Sequence, residues 1–135
     1  MKLFIVPSLA VLAACTGVSC AAAQERGVIT GQLSYPSDFI PPDLTVCAID
    51  LANRQEHCTA RKTRSGRFHT YRLEVPAGNF HVYARTKEMA GVRAFYNEFV
   101  TCGLDARCKS HKPINVTVKA GATVGMINPQ DWYDR

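Results

Sequence analysis

The sequence has no apolar run long enough to cross a bilayer, no internal repeat, no low-complexity tract and no capped segment of helical period. Those gaps exclude a membrane-spanning helix, a solenoid, a disordered tail and a helix bundle. The spacings that betray common chemistries are missing as well. Beyond the first two dozen residues the serines are Ser34, Ser37, Ser65 and Ser110, none in a G-x-S-x-G elbow. There is no H-E-x-x-H and no glycine-rich phosphate loop. No C-x-x-C is available for zinc or a redox dithiol. Asp38, Asp43, Asp50, Asp105, Asp131 and Asp134 do not fall at the spacing of a calcium loop. The expectation is a protein that is not an enzyme, with no metal and no cofactor.

What is present suits one small domain. The chain has 135 residues, 47% hydrophobic and 20% charged, with 16 Lys+Arg against 11 Asp+Glu for a net charge of +5. That is enough apolar material for a buried core and too little length for two ordinary domains.

The first segment reads as an address. Met1-Lys2 gives a positive start, Leu3 to Ala14 is an apolar run interrupted only at Pro7 and Ser8, and Ala21-Ala22-Ala23 supplies small residues for a signal peptidase. Residues 1–23 are therefore expected to be a signal peptide and 24–135 the single domain. Cleavage after Ala23 removes Cys15 and Cys20 and leaves four cysteines. The competing outcome is a lipobox, Leu12-Ala13-Ala14-Cys15, with lipidation at Cys15. That route leaves Cys20 as an odd thiol in an oxidising compartment. Either route exports the chain to the periplasm or cell surface of a bacterium, possession of a lipid anchor depending on Cys15.

The remaining cysteines fall in two local pairs, Cys47/Cys58 and Cys102/Cys108, and four cysteines allow three connectivities. The runs Leu44–Ile49 and His57–Ala60 read as strands around the turn-like Leu51-Ala52-Asn53-Arg54. With Asp50 facing Gln55, Cys47 comes opposite Cys58, within disulfide reach. A Cys102–Cys108 bridge closes a compact loop. Both fit structural staples in a small exported domain.

Short β-branched and aromatic runs punctuated by Gly, Pro, Asn and Asp predict strands at 28–33, 44–50, 56–62, 68–75, 80–85, 93–100, 114–119 and 124–128. The proline-rich 34–43 cannot pair as a central strand. Ser65-Gly66 reads as the turn of a hairpin. Val75-Pro76-Ala77-Gly78-Asn79-Phe80 reads as a second, with Leu73 facing Val82, Tyr71 facing Ala84 and Glu74 facing His81. The order GVITGQL, a proline-rich loop, LTVCAID, SGRFHTYRLEVPAGNFHVYA and VTVKAGATV resembles the carboxypeptidase regulatory-like, prealbumin-like (transthyretin-like) family. The resemblance implies an all-β, antiparallel two-sheet β-sandwich of about seven strands, usually non-catalytic, serving as an accessory or ligand-contacting module. It carries over no catalytic residue. The cysteine loop and the NPQDWY ending depart from the family pattern.

Candidate contacts are the basic stretch Arg61, Lys62, Arg64 and Arg67, the Cys102–Cys108 loop, and Trp132 with Tyr133. Exposed charge in a loop is usually a solvated turn, and a terminal Trp more often packs than binds. The functional expectation is a binding module that contacts a protein or glycan through loops. Alternatives are an envelope-anchored structural lipoprotein and an inhibitor of a secreted hydrolase. An enzyme built on Glu74, His81 and Tyr83 is a further rival. Nucleic acid fits poorly, because the basic stretch lacks interleaved stacking aromatics.

Overall fold

The computed structural model describes residues 25–134, so the expected signal peptide, Cys15 and Cys20 lie outside the described residues. Nearly all the regular structure is strand, in two layers. The strands are β1 (Arg26–Leu33), β2 (Thr45–Asp50), β3 (Glu56–Thr59), β4 (Thr63–Ser65), β5 (Phe68–Pro76), β6 (Gly78–Arg85), β7 (Ala94–Phe95), β8 (Val116–Val118) and β9 (Thr123–Val124). One sheet has the order β4-β5-β1-β9; the other has β3-β2-β6-β7, with β8 also paired to β6. The architecture is the expected all-β two-sheet sandwich, with nine strands rather than about seven. It is not wholly antiparallel, because β1 and β9 run parallel.

Period-two alternation builds the core. Ile29 and Leu33 of β1, Tyr71, Leu73 and Val75 of β5, Val46 and Ala48 of β2, Phe80, Val82 and Ala84 of β6, and Val116 and Val118 of β8 are buried together between the layers. Burying one such aliphatic side chain stabilises by about 1.5–3 kcal/mol before chain entropy is charged against it. Gly27 and Gly31 share the inward face of β1 with Ile29. A Cβ on Gly31 would sit 2.0 Å from the Ile127 carbonyl oxygen, and one on Gly27 2.3 Å from Val118 Cγ1. These glycines let other segments cross β1 at backbone distance.

The β2–β3 hairpin forms as expected, with Cys47 opposite Cys58 and the Asp50 amide donating to the Gln55 carbonyl at 2.8 Å. The disulfides are Cys47–Cys58 and Cys102–Cys108. Opening the first, as the double change Cys47→Ser and Cys58→Ser, is expected to cost about 2–4 kcal/mol in denaturant unfolding, and opening the shorter loop less. The β4–β5 hairpin also forms, Ser65 facing Phe68 across a turn with Gly66 at φ 60°.

The second hairpin does not form. β5 pairs with β1 (Leu73 opposite Ile29) and β6 with β2 (Val82 opposite Ala48), so the Pro76–Ala77 segment carries the chain from one sheet to the other. An arch between layers turns the same apolar faces inward as a hairpin would, so the alternation is identical while the partners differ. Other departures are local. The expected strand 56–62 divides, since Lys62 lies between β3 and β4, which belong to different sheets. The expected strand 93–100 is strand only at Ala94–Phe95. From there the Asn97 side chain accepts a hydrogen bond from the Val100 amide and caps a single helical turn, α1 (Glu98–Thr101). A second turn, 3-10 in geometry, spans Lys87–Met89 and is capped by Thr86. No helix among the described residues is long and apolar enough to cross a membrane.

Candidate functional site

The connection between β1 and β2 runs over one end of the sandwich and is held by Pro41 and Trp132. Pro41 is buried. Trp132, 2% exposed, donates its indole N–H to the Ser34 carbonyl at 2.8 Å and meets the Tyr35 ring edge-on at 5.3 Å between centroids. Tyr35 in turn lies 6.3 Å from Phe39. The sequence therefore builds a stepped aromatic stack, buried at Trp132 and open at Phe39, which is 54% exposed.

Opposite that loop stands the β4–β5 turn. Together they enclose an open cleft of about 450 Å³ lined by Tyr35, Asp38, Phe39, Arg64, Arg67 and Phe68 among others. Phe68 is 49% exposed. Arg64 spends its Nε–H on the Gly66 carbonyl at 3.2 Å, which fixes the side chain and leaves the outer guanidinium nitrogens free. Among the described residues no carboxylate pairs with Arg64 or Arg67; the ion pairs are Arg72–Glu74, Arg107–Asp105 and His111–Asp131. Two phenyl faces and two guanidinium forks thus share one concave surface on a braced frame.

The expected contact residues separate accordingly. Arg64 and Arg67 lie on the cleft. Arg61 is exposed on the β3–β4 connection. Lys62 points away, its Nζ donating to the Pro42 and Ala60 carbonyls at 2.9 and 2.8 Å, and partial burial lowers its pKa. Trp132 is no contact surface, because it is buried; it braces the cleft from behind. Tyr133 is exposed beside it. The rival catalytic group is dispersed. Glu74 sits on one sheet and pairs with Arg72 at 2.8 Å. On the other sheet His81 bonds Asn115 at 2.7 Å, and Tyr83 donates to Glu56 at 2.9 Å beneath the Arg93 guanidinium. The pairing of β5 with β1 rather than β6 is what parts Glu74 from His81.

At the edge of the second sheet lies a polar cluster that spacing gave no way to find. Asp131 is fully buried; its Oδ2 accepts from Asn97 Nδ2 at 2.6 Å and contacts His111 Nδ1 at 2.5 Å. The His111 ring stacks on Phe99, centroids 4.5 Å apart. Asn97 also caps α1 and donates to the His111 carbonyl at 3.3 Å, so the cluster ties β7, α1, the segment after the Cys102–Cys108 loop and the C-terminal segment together. His111, Asp131 and Asp134 stand close enough to share a cation. Asp131 Oδ2 already has two partners, however, and a buried carboxylate so satisfied needs no cation to be stable.

The hydrogen bond to Asp131 raises the His111 pKa above its ordinary 6.5, with the Asp131 and Asp134 charges acting the same way against partial burial. A raised folded-state pKa contributes stability fully present below 6.5 and lost as pH rises through the higher folded value. The difference in melting temperature between the wild type and His111→Asn is expected to shrink between pH 6 and pH 8. A difference that grows with pH contradicts the assignment.

No family model, curated protein or solved structure matches this chain. The reading of the site therefore rests on its own geometry. Phe39 and Tyr35 carry no contact motif in the sequence because their loop reads only as proline-rich punctuation, and Asp38 stands out there only as an acidic residue outside any calcium-loop spacing. The signal was there in one form: Phe39 and Ile40 are large apolar residues in a segment that cannot be a central strand.

Proposed function

We propose that this chain is an exported, non-catalytic β-sandwich accessory or binding module of the bacterial cell envelope, and that it recognises a protein or glycan through the cleft between residues 34–40 and the β4–β5 turn. One observation carries the reading: Phe39, Phe68, Arg64 and Arg67 converge on a single exposed cleft whose loop is anchored to the buried Trp132. Aromatics and arginine are the side chains that contribute most per residue to recognition, and a preformed frame lowers the ordering cost of binding. Two disulfides fit an oxidising, extracytoplasmic setting. The prealbumin-like resemblance belongs to the same proposal, since modules of that kind work by contact. Placing benzoyl-phenylalanine at Phe39 or Phe68 and irradiating intact cells tests it. The expected result is a discrete adduct from either position and none from Asn53, on the distant β2–β3 turn. Equal capture from Asn53, or none from the cleft, overturns the reading.

A further inference from the structure

Resting on that reading, we infer that the cleft takes a carboxylate-bearing oligosaccharide, of the uronic-acid type, in preference to a neutral sugar or an acidic peptide. Three features of the lining point to this class. Arg64 and Arg67 present unpaired guanidinium groups against the single carboxylate of Asp38, so the cleft favours an anion. A guanidinium fork matches the two oxygens of a carboxylate in a bidentate pair. Phe39 and Phe68 each show about half their surface to solvent, in a place where an aliphatic side chain would cover the same end of the sandwich; flat rings suit the C–H faces of pyranose rings. Finally, Asp38 accepts hydrogen bonds only, and the hydroxyls of Ser37 and imidazole of His69 beside it can donate or accept. A uronic-acid chain offers hydroxyls that can satisfy such a mixed set and donate to Asp38, whereas the side chains of polyglutamate offer carboxylates alone.

The cleft volume, about 450 Å³, lies within the range of sites for small ligands. A site of that size takes one end or a short stretch of a chain, and the exposed Arg61 lies outside its lining.

The test is titration of the disulfide-intact protein, by calorimetry or by amide chemical shifts, with three probes: tetragalacturonate, its fully methyl-esterified form, and hexaglutamate. Tetragalacturonate is expected to bind saturably, with the shifts centred on Phe39, Arg64, Arg67 and Phe68. Esterification, and separately Arg67→Ala, should each weaken binding about tenfold, the scale of one charge-assisted pair. Phe39→Ala should weaken acid and ester alike, and Arg61→Ala much less than Arg67→Ala. Unchanged melting temperatures certify that these exposed replacements leave the fold intact. Equal affinity for acid and ester, insensitivity to Arg67→Ala, or no binding of either sugar overturns the inference. Tighter binding of hexaglutamate also overturns it while leaving the recognition cleft standing. Loss of cross-linking from Phe39 and Phe68 is the separate failure that would remove the cleft itself.

Discussion

Trp132→Ala is expected to destabilise the protein by about 3–5 kcal/mol, the range for removing a large aromatic from a close-packed core. Trp132 is 2% exposed and contacts the main core cluster from the C-terminal segment. Two losses add to the cavity. The Ser34 carbonyl forfeits its 2.8 Å indole partner, and Tyr35 loses the ring it meets edge-on. Because Tyr35 leads to Phe39, the change also loosens the loop that frames the cleft. Guanidinium denaturation with linear extrapolation gives the stability. Amide exchange across residues 34–40 reports the loosening before global unfolding. Trp132→Phe restores volume without the N–H donor, so its loss should be smaller, with exchange at 34–40 still raised. A loss under 1 kcal/mol for Trp132→Ala would show that the C-terminal segment is not part of the cooperative fold.

Asp131→Ala should be comparably costly, about 3–5 kcal/mol, for a different reason: it leaves buried partners uncompensated. The carboxylate is shared by Asn97 and His111, and its other oxygen accepts the Tyr133 amide at 3.2 Å. Removing it leaves the Asn97 amide, whose oxygen caps α1, only the longer 3.3 Å bond to the His111 carbonyl, and frees the ring stacked on Phe99. Asp131→Asn keeps one acceptor oxygen for Asn97 and His111, loses the charge and turns its NH2 toward the Tyr133 amide, so a smaller loss of about 1–3 kcal/mol is expected. The same variant should remove most of the pH-dependent part of the His111 contribution, leaving the smaller share due to Asp134. The combination with His111→Asn then costs less than the two single changes together, since both act on one contact.

Features set within a dozen residues were legible from sequence, and features set by long-range partners were not. Cys47 and Cys58 flank a tight turn, so alternation fixes their register and their pairing follows. The Ser65-Gly66 turn is local in the same way. Leu73 and Val82 are as close in sequence, yet they belong to different sheets, and the apolar period cannot distinguish a partner beside a strand from one in the other layer. Asn97, His111 and Asp131 are separated by 14 and 20 residues. Nothing in their spacing announces that they meet. The same holds for Phe39 and Phe68, which one end of the sandwich brings together. Arg64 and Arg67 were legible because charge density is visible in a linear text, whereas the fate of Lys62, whose ammonium is bound by the Pro42 carbonyl, depends on where β2 begins.

The parallel pairing of β1 with β9, together with the Trp132 to Ser34 bond, stitches the opening of the domain to its close. The edge of β1 therefore stays unpaired in any partial chain that lacks Thr123–Val124, and the Ser34 carbonyl stays without its indole partner in one that lacks Trp132. β9 acts as a zip fastener, and a chain cut short before it leaves the β1 edge of that sheet open.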